Sequence, residues 1–272
     1  EARHVLQTYK RQPVAFVRGQ GVYLYDADGR EYLDFVSGIG VTSLGHAHPA
    51  LTAAITDQAR TLLHTSNLYF HPYQAEAAER LARISGLSRA FFCNSGTEAV
   101  EACLKFARRY WYTQGVTDRT EFVALEGAFS GRTMGALSVT HDDHYRAPFG
   151  PLLAATFVSP HDPDALLRAV SSRTAAVIAE PIQGEGGIRP LSAAFAQAIA
   201  DACSRTGTLY IADEVQSGLG RTGHAFAAPS LGLSPDLIAV GKALGAGVPV
   251  GAALVSERVA ELEADSPSSS GF

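Results

Sequence analysis

The feature that most constrains the fold is a regular alternation of short apolar runs with longer amphipathic segments. Short apolar runs are typical of strands buried on both faces of a sheet, and amphipathic segments are typical of helices. Alternating strands and helices imply right-handed crossovers, so the sequence predicts an α/β fold with a mostly parallel sheet sandwiched by helices. The predicted strands lie at residues 90–93, 121–125, 154–158, 175–179, 208–212 and 237–240, and the clearest helices at 98–112, 162–170 and 193–206.

The N-terminal part of the chain predicts a β-hairpin. Residues 22–35 form two alternating runs that meet at Asp26-Ala27-Asp28-Gly29, which has the chemistry of a turn. Residues 260–272 are polar and have neither helical nor strand periodicity. We therefore expect an N-terminal segment at 1–45, a large domain at 46–259 and an irregular tail at 260–272. Because the chain opens on Glu1 without an initiator Met, we expect a fragment or a truncated product.

Composition and charge exclude several classes of partner. A chain of 272 residues with 46% hydrophobic residues can bury a substantial core. The net charge of −5 is spread along the sequence without a run of Lys or Arg, which argues against nucleic-acid binding. Because the sequence contains no apolar stretch of about 18 residues and no secretory signal, we expect a soluble, cytoplasmic protein.

The cysteines and histidines predict neither a disulfide framework nor a metal site. Cys93, Cys103 and Cys203 are odd in number and lack CxxC spacing, so we interpret them as buried thiols. The histidine clusters at residues 46–48 and 141–144 have no third ligand at a suitable spacing, whereas zinc needs three or four.

A lysine follows the last predicted strand. Lys242 stands directly after the apolar run 237–240 and among glycines at 241, 245 and 247. Burial disfavours the charge of an ammonium, so the pKa of such a lysine falls, and a neutral amine can attack an aldehyde. The alternative is an ordinary lysine just beyond a strand end.

Two carboxylates and an amide follow the strand before it, at Asp213, Glu214 and Gln216. Neighbouring strand residues point to opposite faces, so the two carboxylates cannot share one role. One of them could pair with a heterocyclic cation. A Mg²⁺-binding pair and a solvated edge stay open as alternatives.

Small polar residues lie between the first predicted strand of the sheet and the helix that follows. At Ser95, Gly96 and Thr97, free backbone amides and the helix macrodipole favour a bound phosphate. A simple N-cap at Ser95 or Thr97 is the alternative. The segment Gly218-Leu219-Gly220-Arg221-Thr222-Gly223 fits a dinucleotide-binding pattern, but it does not lead directly into a helix, so we set that interpretation aside.

The order of these signals resembles the class III, fold type I aminotransferases, which use pyridoxal 5′-phosphate. Within this class, the sequence motifs most resemble those of the acetylornithine aminotransferase group. The resemblance covers about Tyr9 to Val259 and is densest at residues 9–19, 45–49, 63–69, 91–99 and 180–187. It implies a fold type I large domain with a seven-stranded, mostly parallel sheet, and a homodimer.

The resemblance implies a role for each cofactor-site residue. Lys242 would hold the cofactor as a Schiff base and move the proton, and Asp213 would pair with the pyridine nitrogen. Gln216 would bind the phenolic oxygen of the ring. The remaining cofactor contacts would be Val215 and Phe129 on the two faces of the ring, and Ser95, Gly96 and Thr97 at the phosphate.

The resemblance also implies substrate contacts. Tyr9 and Arg132 match residues that bind the α-carboxylate of the amino donor in related enzymes, and a guanidinium suits a carboxylate. Glu185 matches a glutamate that pairs with an arginine near the C-terminus. Ile39 stands where ornithine aminotransferases carry a Tyr, which favours the acetylornithine or 4-aminobutyrate branch.

The implied reaction moves an amino group from N-acetylornithine or a similar ω-amino donor to 2-oxoglutarate. Two departures bear on this expectation. Ser130 replaces a family His, and the family's Thr-Phe-Gly-Gly-Asn-Pro-like segment and C-terminal domain are absent after Val259. The alternatives are another class III aminotransferase of the ornithine or 4-aminobutyrate type, a cofactor-binding fragment without activity, and an oxidoreductase that rests on the glycine segment 218–223 alone.

Overall fold

A computed structural model describes residues 3–261, which fall into two compact units that divide between Ser66 and Asn67. From residue 262 onward, the irregular tail predicted at 260–272 lies outside the described residues. Within the described part of the chain, no helix is long and apolar enough to cross a membrane.

The N-terminal unit contains a three-stranded antiparallel sheet of β1 (Phe16–Gln20), β2 (Tyr23–Asp26) and β3 (Glu31–Leu33). The turn between β2 and β3 forms because Asp26 Oδ1 accepts the backbone amides of Asp28 at 3.0 Å and Arg30 at 2.8 Å. The predicted hairpin is therefore confirmed. A short turn, α1 (Ser37–Gly40), and the helix α2 (Pro49–Thr61) complete the unit.

The second unit contains the predicted alternation of strands and helices. Its strands are β4 (Arg89–Cys93), β5 (Glu121–Leu125), β6 (Ala155–Val158), β7 (Thr174–Ala179), β8 (Ile182–Gln183), β9 (Arg189–Pro190), β10 (Leu209–Asp213), β11 (Leu237–Val240) and β12 (Gly251–Val255). Its helices are α3 (Pro72–Ser85), α4 (Gly96–Thr113), α5 (Met134–Ser138), α6 (Asp143–Arg146), α7 (Pro163–Ala169), α8 (Ala193–Thr206), α9 (Ala227–Ser230) and α10 (Glu257–Ala260). Short 3₁₀ turns lie at Ala147–Phe149 and Lys242–Leu244.

Seven of these strands form one sheet in the order β4-β12-β11-β10-β7-β5-β6. The pairs β5–β6, β5–β7, β7–β10 and β10–β11 are parallel, while β12 runs antiparallel to both neighbours. The predicted seven-stranded, mostly parallel sheet is thus confirmed. The strand β12 was not among the predicted runs.

Both faces of this sheet are buried, as the sandwich prediction required. Alternate residues of β5 serve different cores: Phe122 packs on the side of α4, whereas Val123 packs on the side of α8. Trp111 of α4 and Phe195 of α8 are large side chains in the two cores. All three cysteines are free thiols, of which Cys103 is buried and the other two are partly buried.

Candidate active site

The predicted site residues of the second unit follow the carboxyl ends of sheet strands. Asp213 ends β10, and Lys242 comes two residues after β11 ends. Ser95 follows β4, and Phe129 follows β5. Because β5, β10 and β11 run parallel in one sheet, and β4 runs in the same direction on the far side of β12, these side chains share one edge.

Asp213 is a buried carboxylate with one oxygen unused. Its Oδ1 accepts the amide of Val215 at 3.3 Å, whereas Oδ2 is buried and has no hydrogen-bond partner among the described residues. Burial raises the pKa of Asp213 to about 6, and the Val215 amide, the nearby Ser130 hydroxyl and the charge of Lys242 partly oppose this shift. A buried anion without a partner is costly, so this oxygen is placed to receive a cation or a donated proton.

Glu214 has a role different from that of Asp213. The sequence predicted this difference, because neighbouring strand residues point to opposite faces of the sheet. Its carboxylate accepts the Ser217 hydroxyl at 2.7 Å and the amides of Ala227 and Ala228 at 2.9 and 2.7 Å. These bonds close the loop that follows β10 onto the start of α9. Glu214 is therefore a satisfied structural group, and only Asp213 is available for chemistry.

The segment after β4 forms a helix cap and leaves first-turn amides without a helix carbonyl as partner. Ser95 Oγ accepts the amide of Glu98 at 3.2 Å, and Glu98 Oε2 accepts the amide of Asn94, the residue before the N-cap, at 2.6 Å, so the cap resembles a capping box shifted by one residue. The amides of Gly96 and Thr97 lie in the first turn of α4, where a helix supplies no carbonyl acceptor. The N-cap alternative and the phosphate prediction are thus compatible, because they use different amides.

Close packing ties this helix end to the other strand ends. A β-carbon built on Gly96 lies 2.6 Å from Val215 Cγ1, and one built on Gly241 lies 3.0 Å from the Gly96 Cα. Only glycine fits at either position without movement of its neighbours. The start of α4, Val215 two residues after Asp213, and Gly241 just before Lys242 therefore meet at one point.

Lys242 is partly buried, and its backbone is strained. Its φ of +42° lies in the left-handed region, which disfavours a side chain by about 1 kcal/mol or more. Burial lowers the pKa of Lys242, and the carboxylates of Glu185, Asp213 and Glu180 partly oppose this. A lowered pKa makes the neutral amine more accessible near neutral pH, as the sequence predicted for a nucleophilic lysine.

Glu180 is a site residue to which the sequence analysis assigned no role. It is buried at the end of β7, where Oε1 accepts the Phe129 amide and Oε2 accepts the Gly184 amide, both at 3.0 Å. Burial and the Asp213 carboxylate raise its pKa to about 8, and Lys242 opposes the shift. A carboxylate directly after a wholly apolar strand was the sequence signal for it.

The loop after β5 carries Phe129 and Arg132, and both contact Tyr145 of α6. Phe129 and Tyr145 meet edge to face with their ring centroids 6.3 Å apart. The Arg132 guanidinium lies 3.8 Å from the centroid of the Tyr145 ring and 5.5 Å from that of Phe129. Thr97 Oγ1 accepts the Arg132 amide at 3.2 Å, which joins this loop to the start of α4.

The turn after β8 lies against the loop after β10. A β-carbon built on Gly184 would clash with the Gln216 side chain, so that side chain lies directly against the Gly184 backbone. Glu185 is exposed, and its charge reaches Lys242. Tyr9 and Ile39 lie in the N-terminal unit, where both are exposed, and their predicted roles at the site stay predictions.

The glycine segment 218–223 closes on itself. The amides of Leu219 and Gly220 donate to the carbonyls of Ala225 and His224 at 2.7 and 3.1 Å, so they are not free to hold a pyrophosphate. No helix follows directly, since α9 begins at Ala227. Across residues 3–261, no group of His, Cys, Asp or Glu is arranged to hold a metal ion.

Pyridoxal phosphate suits the residues that the structure brings together. The unpartnered Asp213 Oδ2 offers an anion to a protonated pyridine nitrogen. The first-turn amides of α4 offer donors to a phosphate, and Lys242 offers an amine. Among the described residues, the Asp213 oxygen and the helix amides lack a protein partner, and the pKa of Lys242 is lowered. Such features are typical of a ligand-binding site.

Comparison with known proteins gives one consistent family. The family model described as aminotransferase class III matches residues 5–271. An acetylornithine aminotransferase of Archaeoglobus fulgidus is 48% identical over 96% of this chain and 68% of its own length. A second, from Methanosarcina acetivorans, is also 48% identical and is covered over 63% of its length by this chain. The chain thus spans about two thirds of the length of these relatives.

Solved structures agree with the sequence matches. An N-acetylornithine aminotransferase from Stenotrophomonas maltophilia superposes with a TM-score of 0.81 at 36% identity, over 93% of this chain and 65% of that one. An amine transaminase from an uncultivated Pseudomonas species, solved in its PLP-bound form, superposes with a TM-score of 0.87 at 32% identity. That match covers 96% of this chain and 67% of the other.

Proposed function

This chain belongs to the aminotransferase class III family, whose members are pyridoxal-phosphate-dependent transaminases, and we propose that it moves an amino group from N-acetylornithine or a similar ω-amino donor to 2-oxoglutarate. The observation that carries the proposal is the placement of Lys242 and the unpartnered Asp213 carboxylate at one sheet edge, where the charge of one affects the other. The names of the most similar relatives support the choice of donor.

Bound pyridoxal phosphate supplies an aldehyde that reacts with amines and a ring that accepts electron density. Lys242 Nζ provides the amine, and the partial burial that lowers its pKa keeps more of it neutral. Once free, the same nitrogen is in place to take up and return a proton. Asp213 Oδ2 holds a positive charge on the ring nitrogen, which strengthens the ring as an electron acceptor.

The other proposed contacts orient the cofactor. The first turn of α4 binds the phosphate through Ser95, Gly96 and Thr97. Val215 packs on one face of the ring, and Phe129 stacks on the other. Gln216, held beside Gly184, bonds the phenolic oxygen.

Substrate recognition is proposed for Arg132, Tyr9 and Glu185. Arg132 pairs with no carboxylate among residues 3–261, so its guanidinium is available to the α-carboxylate of the donor. Tyr9 supports the same carboxylate. Glu185 is proposed to act when the amino donor in the site is replaced by the dicarboxylate acceptor. A donor of the ornithine or 4-aminobutyrate type is the runner-up, and Ile39 argues against the ornithine type.

The proposal is tested by two measurements on the chain incubated with pyridoxal phosphate. Borohydride reduction followed by peptide mapping is expected to place the cofactor on Lys242 and not on Lys10 or Lys105, the other lysines of the chain. Incubation with N-acetylornithine and 2-oxoglutarate is expected to produce glutamate faster than with ornithine or 4-aminobutyrate. A labelled Lys242 without any glutamate supports the inactive cofactor-binding alternative, and label elsewhere contradicts the site itself.

A homodimer is part of the proposal. Leu68, Tyr69 and Phe70 are apolar and largely exposed beside a cavity of about 420 Å³ at α3 and the edge strand β4. An exposed apolar patch of this kind marks a protein–protein contact. Phe70→Asp is expected to shift sedimentation from dimer to monomer, whereas Tyr112→Asp, at the exposed end of α4, is not. Cytoplasmic localisation stays a prediction from the sequence.

A further inference from the structure

Arg132 is held by a ring and not by a carboxylate. Its guanidinium carbon lies 3.8 Å from the centroid of the Tyr145 ring, and the side chain is exposed. No ion pair to Arg132 occurs among residues 3–261. A guanidinium that stacks on a ring uses its flat face and leaves its N–H groups, which lie in the plane, free to bind.

Tyr145 is itself fixed from several directions. It lies in α6, where Asp142 Oδ1 caps the turn by accepting the His144 amide at 2.9 Å. The Tyr145 amide donates to the Asp142 carbonyl at 3.0 Å. Arg146, the next residue, lies 4.5 Å from the centroid of the Phe157 ring on β6. The two hydrogen bonds to Asp142 fix the turn that carries the Tyr145 ring, and the Arg146–Phe157 contact is a separate pair that faces β6.

The Tyr145 ring is also joined to the cofactor side of the site. The edge of Phe129 meets Tyr145, and the Phe129 amide is bonded to the buried Glu180. An arginine in water samples many rotamers, and ordering it at the moment of binding costs about 1 kcal/mol or more. A stacked arginine has already lost that freedom, so a carboxylate binds it at a smaller cost.

We propose that Tyr145 is a positioning residue, whose ring holds the Arg132 guanidinium in one plane so that its N–H edge meets the carboxylate of the amino donor. The proposal rests on the role given to Arg132 in the proposed function. It assigns Tyr145 to recognition of carboxylate-bearing donors, not to the chemistry at Lys242.

The chain offers a matched control. Arg146 and Phe157 form a second arginine–ring pair, one residue further along the same turn, and neither was assigned to the site. Tyr145→Leu removes the ring beneath Arg132, Tyr145→Phe keeps it without the hydroxyl, and Phe157→Leu removes the ring beneath Arg146. The three variants therefore separate loss of this ring from general loosening of the segment.

The first measurement needs neither cofactor nor turnover. Relaxation of the arginine Nε–H signals in the cofactor-free protein is expected to show Arg132 more mobile in Tyr145→Leu, unchanged in Tyr145→Phe, and unchanged in Phe157→Leu, where Arg146 is loosened instead. An Arg132 that is equally ordered with and without the ring overturns the proposal. This holds whether or not the proposed reaction is correct.

The second measurement compares two ligands on the chain loaded with pyridoxal phosphate. N-acetylornithine carries a carboxylate, and N-acetylputrescine is the same molecule without it. Tyr145→Leu is expected to raise the dissociation constant for N-acetylornithine about tenfold, while N-acetylputrescine, the cofactor and the melting temperature change little. Tyr145→Phe stays within about twofold of the unaltered chain. Equal weakening of both ligands contradicts the proposal, and failure of borohydride to label Lys242 contradicts the proposed function instead.

Discussion

Glu180 and Phe129 are joined by a 3.0 Å hydrogen bond in which the Phe129 amide donates to a buried carboxylate oxygen at the end of β7. The second oxygen accepts the Gly184 amide at the same distance. One buried side chain thus holds both the loop that carries the proposed ring-stacking residue and the turn that carries Glu185. Its charge is also felt by Asp213 and Lys242.

This burial predicts a particular dependence of stability on pH. The pKa of Glu180 is about 8 in the folded protein against an ordinary value of 4.5, so the folded state keeps a proton that the unfolded chain releases. Stability is therefore greatest below about pH 4.5, as far as this group is concerned, and falls as the pH rises toward 8. Each unit of such a shift corresponds to about 1.4 kcal/mol.

Glu180→Gln is expected to flatten this dependence, because the amide does not titrate. Urea unfolding of the cofactor-free protein between pH 5 and pH 9 measures the effect, and the free energy of unfolding should fall less steeply in the variant. Glu121→Gln is the control, since Glu121 is partly exposed and pairs with Arg173 at the surface. Parallel curves for Glu180→Gln and the unaltered chain contradict the shifted pKa.

Asp213→Asn is expected to act in opposite directions on stability and on function. Without cofactor, the buried Oδ2 has no partner, so removing the charge should stabilise the protein by about 1 kcal/mol above pH 6. With cofactor, the lost pairing should weaken binding and reduce turnover more than about tenfold. Urea unfolding with and without pyridoxal phosphate shows both effects. A variant that retains more than about a tenth of the rate refutes the pairing.

The positions of the main strands could be predicted because buried parallel strands are continuous apolar runs. The helix 193–206 was predicted with the bounds it has, since Gly207 ends it in a left-handed conformation. The strand β12 was missed because it pairs antiparallel between two partners, and nothing local to residues 251–255 indicates that position. A local periodic pattern indicates where a strand lies, but it does not indicate which distant strand pairs with it.

The site shows the same division. Lys242 and Asp213 could be predicted as candidate site residues because each follows an apolar run closely. The motifs that contain them also resemble those of a known family. The roles of Glu180 and Tyr145 were not predicted, since each depends on a contact to Phe129 from a segment distant in sequence. The Gly96–Val215 approach is also a product of the folded sheet.

That approach predicts a steric effect and its rescue. A methyl group on Gly96 would lie 2.6 Å from Val215 Cγ1, so Gly96→Ala should destabilise the protein by about 1–3 kcal/mol and weaken cofactor binding. Val215→Ala in the same chain removes the clashing methyl groups and should restore most of the stability. Thermal unfolding of the two single variants and the double variant measures the coupling. Simple additivity of the two changes refutes the contact.

The last prediction concerns the reactivity of Lys242 itself. The chain has three lysines, Lys10, Lys105 and Lys242, so each can be followed by mass spectrometry after brief reductive methylation at a series of pH values. Burial lowers the pKa of Lys242 from 10.5, and an amine reacts only when neutral, so its labelling should rise at a lower pH than that of the lysine side chain in an unstructured peptide. Since the Asp213 charge raises the pKa of Lys242, Asp213→Asn should move the labelling curve lower still. Glu214→Gln should not, because the Glu214 carboxylate is bonded to Ser217 and the start of α9. If Lys242 is labelled over the same pH range as the lysine of that peptide, or if both variants shift its labelling alike, its perturbed amine is not a property of this site.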